Sequence, residues 1–186
     1  MLLAAGSHTA AAHEPCKPQP LPPAMDALPA LEKTTVMSFA ATPSFDYPGG
    51  AWVVRLSRNG PRGPGLIEIA RLRRQSDCNR YDIEKSWEAP LPEAELEALV
   101  DELAPVATPP AQLFISNDPM RSLEEVALDG TGIILRMRTF GWEVSRNLHH
   151  SGRAGSAVSS LFHTLVSNHV PPSDVPSTDW RTRRSR

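Results

Sequence analysis

Residues 81–88 alternate between two classes of side chain, and this alternation is the clearest structural signal in the chain. One class is apolar and the other is acidic or hydroxylic: Tyr81, Ile83 and Trp87 against Asp82, Glu84, Ser86 and Glu88. Successive side chains of a strand point to opposite faces of a sheet, so this period predicts a strand with its apolar residues on one face. Weaker forms of the alternation predict further strands at residues 51–57, 66–74, 132–139 and 142–149.

Two other segments show the spacing of helices. Leu96, Leu99 and Leu103 recur at helical intervals, and Pro92 before them suits the first position of a helix. Residues 154–170 carry a second apolar stripe at the same spacing. The sequence therefore predicts one helix in its middle and another near its end.

The order of these elements defines a fold class. Residues 123–128 are predicted as one more strand, and Asp129-Gly130 is a hairpin signal between it and residues 132–139. The predicted order is then β-β-β-α-β-β-β-α, an α+β fold with an antiparallel sheet of about six strands and two helices on one face. The repeated order is consistent with an ancient duplication or with a common way to cover a meander.

Length and composition indicate a single domain. The chain has 186 residues, of which 40% are hydrophobic and 22% are charged, as in ordinary soluble globular proteins. Its 19 prolines fall in clusters, which mark loops between secondary-structure elements. We expect one domain at residues 34–170, a Pro-rich tether at residues 13–33 and a flexible, Arg-rich tail at residues 171–186.

The opening residues bear on localisation. Residues 1–12 combine an apolar start with a run of alanines of the kind that a signal peptidase cuts, although no basic residue precedes Lys17. They are either the remnant of a signal peptide or a disordered Ala-rich tail. Export to the periplasm or the medium would place Cys16 and Cys78 in an oxidising compartment, where two thiols join as a disulfide.

Several classes of function lack support in the sequence. A formal net charge of −2 provides no field that steers nucleic acid, and no apolar run reaches the roughly 18 residues of a membrane span. His149, His150 and His163 show no metal-ligand spacing, and no Gly-x-Ser-x-Gly motif is present. We therefore assign no catalytic residue, metal or cofactor, and expect binding rather than catalysis.

A long loop at residues 111–121 contains candidate partner-binding residues. Phe114, Ile115, Met120 and Arg121 combine the apolar, aromatic and arginine side chains that are common at the centres of protein interfaces. Long loops without secondary structure are uncommon in compact domains unless they are functional. Leu113, Phe114 and Ile115 could instead form a short strand or plug that caps the end of the sheet.

Two arginines on a predicted strand, Arg136 and Arg138, are further candidates for partner binding. They are two positions apart and therefore share one face of that strand. Together with Arg71 and its neighbours they could bind an acidic partner. The alternative is a solvated sheet face whose charges meet carboxylates on adjacent strands.

Four short sequences resemble a pattern found in uncharacterised exported proteins of Gram-negative bacteria: Cys78-Asn79-Arg80-Tyr81, Leu128-Asp129-Gly130-Thr131, Gly141-Trp142 and Trp180-Arg181. The resemblance spans roughly residues 50–181. No activity is attached to that group, so it implies no catalytic residue in this chain. The layout is also similar to periplasmic immunity and enzyme-inhibitor proteins, which implies a toxin or an enzyme as protein partner. The rival expectations are a small periplasmic hydrolase, with a site assembled from distant residues, and a structural protein of the cell envelope.

Overall fold

A computed structural model describes residues 23–29, 34–44, 50–58, 60, 62–75, 79–107, 130–139 and 142–181. Its elements are β1 (Thr34–Pro43), β2 (Gly50–Arg58), β3 (Gly65–Gln75), β4 (Arg80–Leu91), α1 (Glu93–Ala107), β5 (Thr131–Thr139), β6 (Trp142–His149) and α2 (Arg153–His169). A short 3-10 helix, Ala24–Ala27, precedes β1. The predicted α+β class is confirmed, and the order in the described residues is β-β-β-β-α-β-β-α.

All six strands form one antiparallel sheet in the order β4-β3-β2-β1-β5-β6. The chain first runs as a meander from β1 out to β4. Helix α1 then returns it to the other side of β1, where β5 and β6 complete the sheet. Strand β1 is therefore central, and its Phe39 lies opposite Val54 of β2 and Leu135 of β5.

Strand β1 was not among the strands predicted from sequence. Phe39, Ala40 and Ala41 are all fully buried, because both faces of this central strand are covered. A strand buried on both faces lacks the polar–apolar alternation that marks a half-exposed strand. Residues 123–128, which were predicted as a strand, lie outside the described residues, and both edges of β5 are already paired, with β1 and β6.

The larger hydrophobic core lies between the sheet and the two helices. The apolar stripes predicted for both helices are confirmed, with these buried residues: Leu96, Leu99, Leu103, Val158, Phe162, Leu165 and Val166. Phe162 of α2 stacks on Phe39 of β1 with 4.3 Å between ring centroids and 11° between planes. Burial of each such side chain stabilises the fold by about 1.5–3 kcal/mol. Neither helix in the described residues is long and apolar enough to span a bilayer.

The segment after α2 packs onto this core. Trp180 is fully buried, with its ring 4.9 Å from that of Phe39. His163 Nε2 donates a hydrogen bond of 3.1 Å to the carbonyl of Pro176, which fixes the segment to α2. The expectation of a flexible tail from residue 171 therefore does not describe the segment up to Arg181, since a buried tryptophan anchors it. Residues 182–186 lie outside the described residues.

A β-bulge in β4 changes the face on which its side chains lie. Trp87 pairs with Ile69 on the helix-covered face, whereas Ile83 pairs with Leu72 on the opposite face. Glu84 is the extra residue between them, opposite the Arg71/Leu72 step. The strand predicted at residues 81–88 is confirmed, but Tyr81, Ile83 and Trp87 do not share a face, because one inserted residue reverses the alternation.

The second face of the sheet carries small side chains. Its buried hydrophobic residues are Ala40, Ala51, Val53, Ala70 and Leu72. Ala24 and Met25 of the 3-10 helix pack on them, so part of the predicted tether is a helical turn seated on the sheet. We call residues 23–29 the N-terminal segment. Cys16 lies in the rest of the tether, and it and Cys78 are outside the described residues.

Candidate functional site

A shallow depression of about 190 Å³ lies on the second face, between the N-terminal segment and strands β1, β5 and β6. Ten residues line it: Met25, Thr35, Val36, Met37, Ser38, Arg55, Arg136, Met137, Arg138 and Glu143. We call this depression the arginine groove. The sheet register creates it, because Ser38 of β1 lies opposite both Arg55 of β2 and Arg136 of β5. Two guanidinium groups therefore flank a small side chain.

Arg55 is the buried cation of the arginine groove. Only 9% of its side chain is exposed, and its Nε and Nη2 each donate a hydrogen bond of 2.9 Å to the Glu68 carboxylate. Its Nη1 donates a third bond, of 2.7 Å, to the carbonyl of Pro29 in the N-terminal segment. A bidentate pair of this type fixes the guanidinium in one orientation. Arg55 thus joins the sheet to the segment that borders the groove.

Arg136 and Arg138 lie two residues apart on β5 and face the groove together. Arg136 forms an ion pair of 3.2 Å with Asp26 of the N-terminal segment. Arg138 is exposed and lies opposite Glu143 of β6, and no described residue is within ion-pair distance of it. One arginine of this strand therefore already binds a carboxylate, whereas the other has no carboxylate partner among the described residues.

A second depression, of about 300 Å³, continues the arginine groove toward the turn between β2 and β3. Thr35, Val36 and Arg138 line both depressions, so Arg138 stands at their junction. Arg58 lines the second depression and forms an ion pair with Glu97 of α1. The combined surface alternates arginine with threonine, valine and methionine.

The structure brings together only some of the predicted partner-binding residues. Arg136 and Arg138 share the groove, whereas Phe114, Ile115, Met120 and Arg121 lie outside the described residues. Arg71, also considered for an acidic partner, is ion-paired with Glu84 and Asp174 on the helix-covered face. For Arg71 the alternative reading, charges matched across strands, describes the structure.

Sequence reasoning missed Arg55 as a site residue. Its place in the alternation of β2 put it on the face opposite Trp52 and Val54, which is correct. The proximity of Arg55 to Arg136 could not be inferred, because it requires that β1 lies between β2 and β5. What the sequence did not show was therefore the order of the strands, not the face on which Arg55 lies.

Two serine hydroxyls contact histidine rings elsewhere in the domain. Ser159 is fully buried and lies 2.9 Å from His150 Nδ1, and it also accepts a hydrogen bond from the Trp180 indole. Ser151 lies 2.8 Å from His149 Nδ1 in the turn that follows β6. Burial beneath Trp180 makes Ser159 a structural hydroxyl. The described residues contain no group of three His, Cys, Asp or Glu that could hold a metal ion.

In the described part of the chain two groups have a perturbed pKa, and neither lines the arginine groove. Burial raises the pKa of Tyr81, partly offset by Arg74 and by a hydrogen bond with Thr42. The Ser177 hydroxyl lowers the pKa of the Asp179 carboxyl.

Comparisons with protein-family models, curated proteins and solved structures found no match to this chain. The resemblance to exported proteins and to immunity proteins therefore stays a prediction.

Proposed function

We propose that this chain is an exported protein that binds another protein through the arginine groove, as an inhibitor or immunity protein directed against a secreted toxin or enzyme. The observation that carries the proposal is the lining of the groove, where Arg55, Arg136 and Arg138 meet Met25 and Val36 on one sheet face. Arginine and methionine are enriched at protein interfaces relative to the rest of the surface.

The rigidity of the surroundings supports a binding role. Arg55 is fixed by three hydrogen bonds, and Met25 is 7% exposed against the small residues of the sheet. A surface that is ordered before binding loses little conformational entropy when a partner arrives. The groove also lies on the face opposite the two helices, so a partner can approach it without disturbing the main core.

Affinity capture from the organism that produces this protein tests the proposal. Wild-type bait should recover one partner at near-stoichiometric amount from an extract of the periplasm or medium. The double variant Arg136→Ala/Arg138→Ala should lose that partner, because it removes two cations from the proposed contact surface.

The double variant Arg62→Ala/Arg73→Ala is the matched control, since both arginines are exposed and neither lines the groove. It removes the same charge and should retain the partner. Equal retention by both double variants contradicts the proposed surface. Recovery of no partner, or release of substrate cleavage products instead, contradicts the binding role.

Export is part of this proposal and has its own test. In an oxidising compartment Cys16 and Cys78 would be joined by a disulfide. The bond would close a loop of roughly 60 residues, and the chain-entropy model assigns it about 4 kcal/mol of stabilisation. Protein isolated from its native host without reductant should then react with no thiol reagent until it is reduced. Two reactive thiols in that preparation contradict export to such a compartment.

A further inference from the structure

The carboxylate of Asp26 forms an ion pair with one of the arginines that line the arginine groove. Asp26 belongs to the N-terminal segment, and its Oδ1 lies 3.2 Å from Nη1 of Arg136. About half of the Asp26 side chain, 49%, remains exposed to solvent. The contact is therefore an accessible ion pair at the border of the groove rather than part of a buried core.

The N-terminal segment does not depend on Asp26 for its position. Met25 is buried among the small residues of the second face, and the carbonyl of Pro29 accepts a hydrogen bond from Arg55. These two contacts lie on either side of Asp26 in the sequence. The carboxylate can thus leave Arg136 while the segment stays on the sheet.

We propose that the arginine groove recognises acidic side chains of an extended partner segment, and that Asp26 occupies the place of one of them when no partner is bound. This inference rests on the proposed function and adds the chemistry of the partner. Arg–carboxylate pairs are among the strongest charge-assisted contacts in proteins, and the Asp26–Arg136 pair shows that this surface forms one.

The spacing on β5 specifies the pattern of acidic residues in the partner. Arg136 and Arg138 are two strand positions apart, which corresponds to about 6.6–7 Å along an extended chain. An extended partner repeats the same distance between every second residue. Carboxylates at alternating positions therefore match the two arginines, one replacing Asp26 and one pairing with Arg138.

The carboxylate of Glu143 should weaken the binding of an acidic ligand, so its replacement gives a further test of the inference. It lies opposite Arg138 across the β5–β6 pair and lines the groove. A carboxylate at this position repels an acidic ligand and partly neutralises Arg138. Removal of its charge should therefore strengthen binding of an acidic segment and leave binding of a neutral segment unchanged.

Fluorescence anisotropy with two labelled peptides tests the inference. The probe is a nine-residue peptide that alternates glutamate with serine, and the reference replaces every glutamate by glutamine. At low salt the wild-type protein should bind the glutamate peptide more tightly than the glutamine peptide. That preference should weaken as salt is raised, because salt screens exposed charges.

The variant Asp26→Asn should bind the glutamate peptide about two- to fivefold more tightly than wild type, because no internal ion pair has to be broken first. Asp101→Asn is the matched control, since Asp101 is exposed on α1, on the other face of the sheet. It should leave the affinity unchanged. Glu143→Gln should act in the same direction as Asp26→Asn, and Arg138→Ala should remove most of the preference for glutamate.

The folded state of each variant is checked by its thermal midpoint, which we expect within about 4 °C of wild type for loss of one exposed ion pair. Equal affinity of wild type and Asp26→Asn for the glutamate peptide overturns the role of Asp26. Equal affinity for the two peptides in every variant overturns acidic recognition. If the captured partner still depends on Arg136 and Arg138, that second result leaves the proposed function standing.

Discussion

The indole Nε1–H of Trp180 donates a hydrogen bond of 2.7 Å to the Ser159 hydroxyl, and both side chains are fully buried. The indole can only donate, so the Ser159 oxygen is the acceptor in this contact. The same hydroxyl lies 2.9 Å from His150 Nδ1, within hydrogen-bond distance. One serine thereby connects the segment after α2, helix α2 itself and the turn after β6.

Replacement of the Trp180 indole should show how much this hydrogen bond contributes. Trp180→Phe keeps an aromatic ring in the core but leaves the Ser159 oxygen without its donor. We expect it to lower the free energy of unfolding by about 1–3 kcal/mol, measured by urea denaturation. Trp180→Ala should cost more, about 3–5 kcal/mol, because it also creates a cavity.

Ser159→Ala provides the control for Trp180→Phe. In the Ser159→Ala background the indole has already lost its acceptor, so the further cost of Trp180→Phe should shrink. Strictly additive losses in this double-mutant cycle contradict a direct coupling between the two residues.

A close approach between helix α2 and strand β6 explains the glycine at position 155. A Cβ atom built on Gly155 would overlap the carbonyl oxygen of His149, a backbone atom that cannot rotate away. We expect Gly155→Ala to lower the free energy of unfolding by about 1–3 kcal/mol, although alanine ordinarily favours a helix. Thermal or urea denaturation measures this loss.

Gly132→Ala is the matched control, because a Cβ atom there would meet only the Thr42 oxygen, at 3.8 Å. It should be neutral or stabilise the protein by up to about 1 kcal/mol. If Gly155→Ala and Gly132→Ala have the same free energy of unfolding, the result contradicts a close contact between α2 and β6.

Periodicity identified the helices and most strands, because the two sides of those elements differ in polarity. In β2 both sides are buried, but Arg55 and Ser57 make one of them partly polar. Leu96 and Phe162 fall on stripes that the sequence shows directly, and both are buried in the core. Strand β1 could not be found in this way, since Phe39 and Ala40 point to opposite faces and both are buried. Period-two reasoning works only where the two faces of a strand differ in polarity, as they ordinarily do when one face meets water.

The arginine groove depends on information that a single sequence does not contain. Arg136 and Arg138 follow from alternation along one strand, but Arg55 and Asp26 join them only through strand order and packing of the N-terminal segment. The bulge at Glu84 illustrates the same limit. One unpaired residue changes the face of every side chain beyond it, and composition gives no sign of it.

Stability at acid pH should depend on Asp179. The Ser177 hydroxyl donates a hydrogen bond to this carboxylate, and Arg181 lies 3.3 Å away, so the pKa of Asp179 falls below its usual 3.8. The folded state then binds this proton less tightly than the unfolded state. The contribution is present above the unfolded pKa and is lost as pH falls through the lower, folded value.

Asp179→Asn should therefore weaken the decline of the urea midpoint below about pH 4. The control is Asp101→Asn, which removes an exposed carboxylate from α1. A decline that is equally steep in Asp179→Asn and in wild type contradicts the assignment to Asp179.

The Arg55–Glu68 pair should be the most costly ion pair to break in the described part of the chain. Only 9% and 16% of the two side chains are exposed, against 56% and 39% for Arg80 and Asp82. Glu68→Gln leaves the buried guanidinium without a counter-charge, and we expect a loss of about 3–5 kcal/mol in urea denaturation. Asp82→Asn, the exposed control, should cost less than about 1 kcal/mol.

Replacement of both partners separates charge burial from packing. Arg55→Met/Glu68→Leu removes both buried charges and should regain most of the stability lost in Glu68→Gln, because no unpaired ion remains. It also removes the hydrogen bond from Arg55 to the Pro29 carbonyl, so the N-terminal segment should exchange its amide hydrogens faster than in wild type. If the double variant is as unstable as Glu68→Gln, packing around the pair and not its charge determines the loss. In that case Arg55 stabilises the groove through the packing of its side chain.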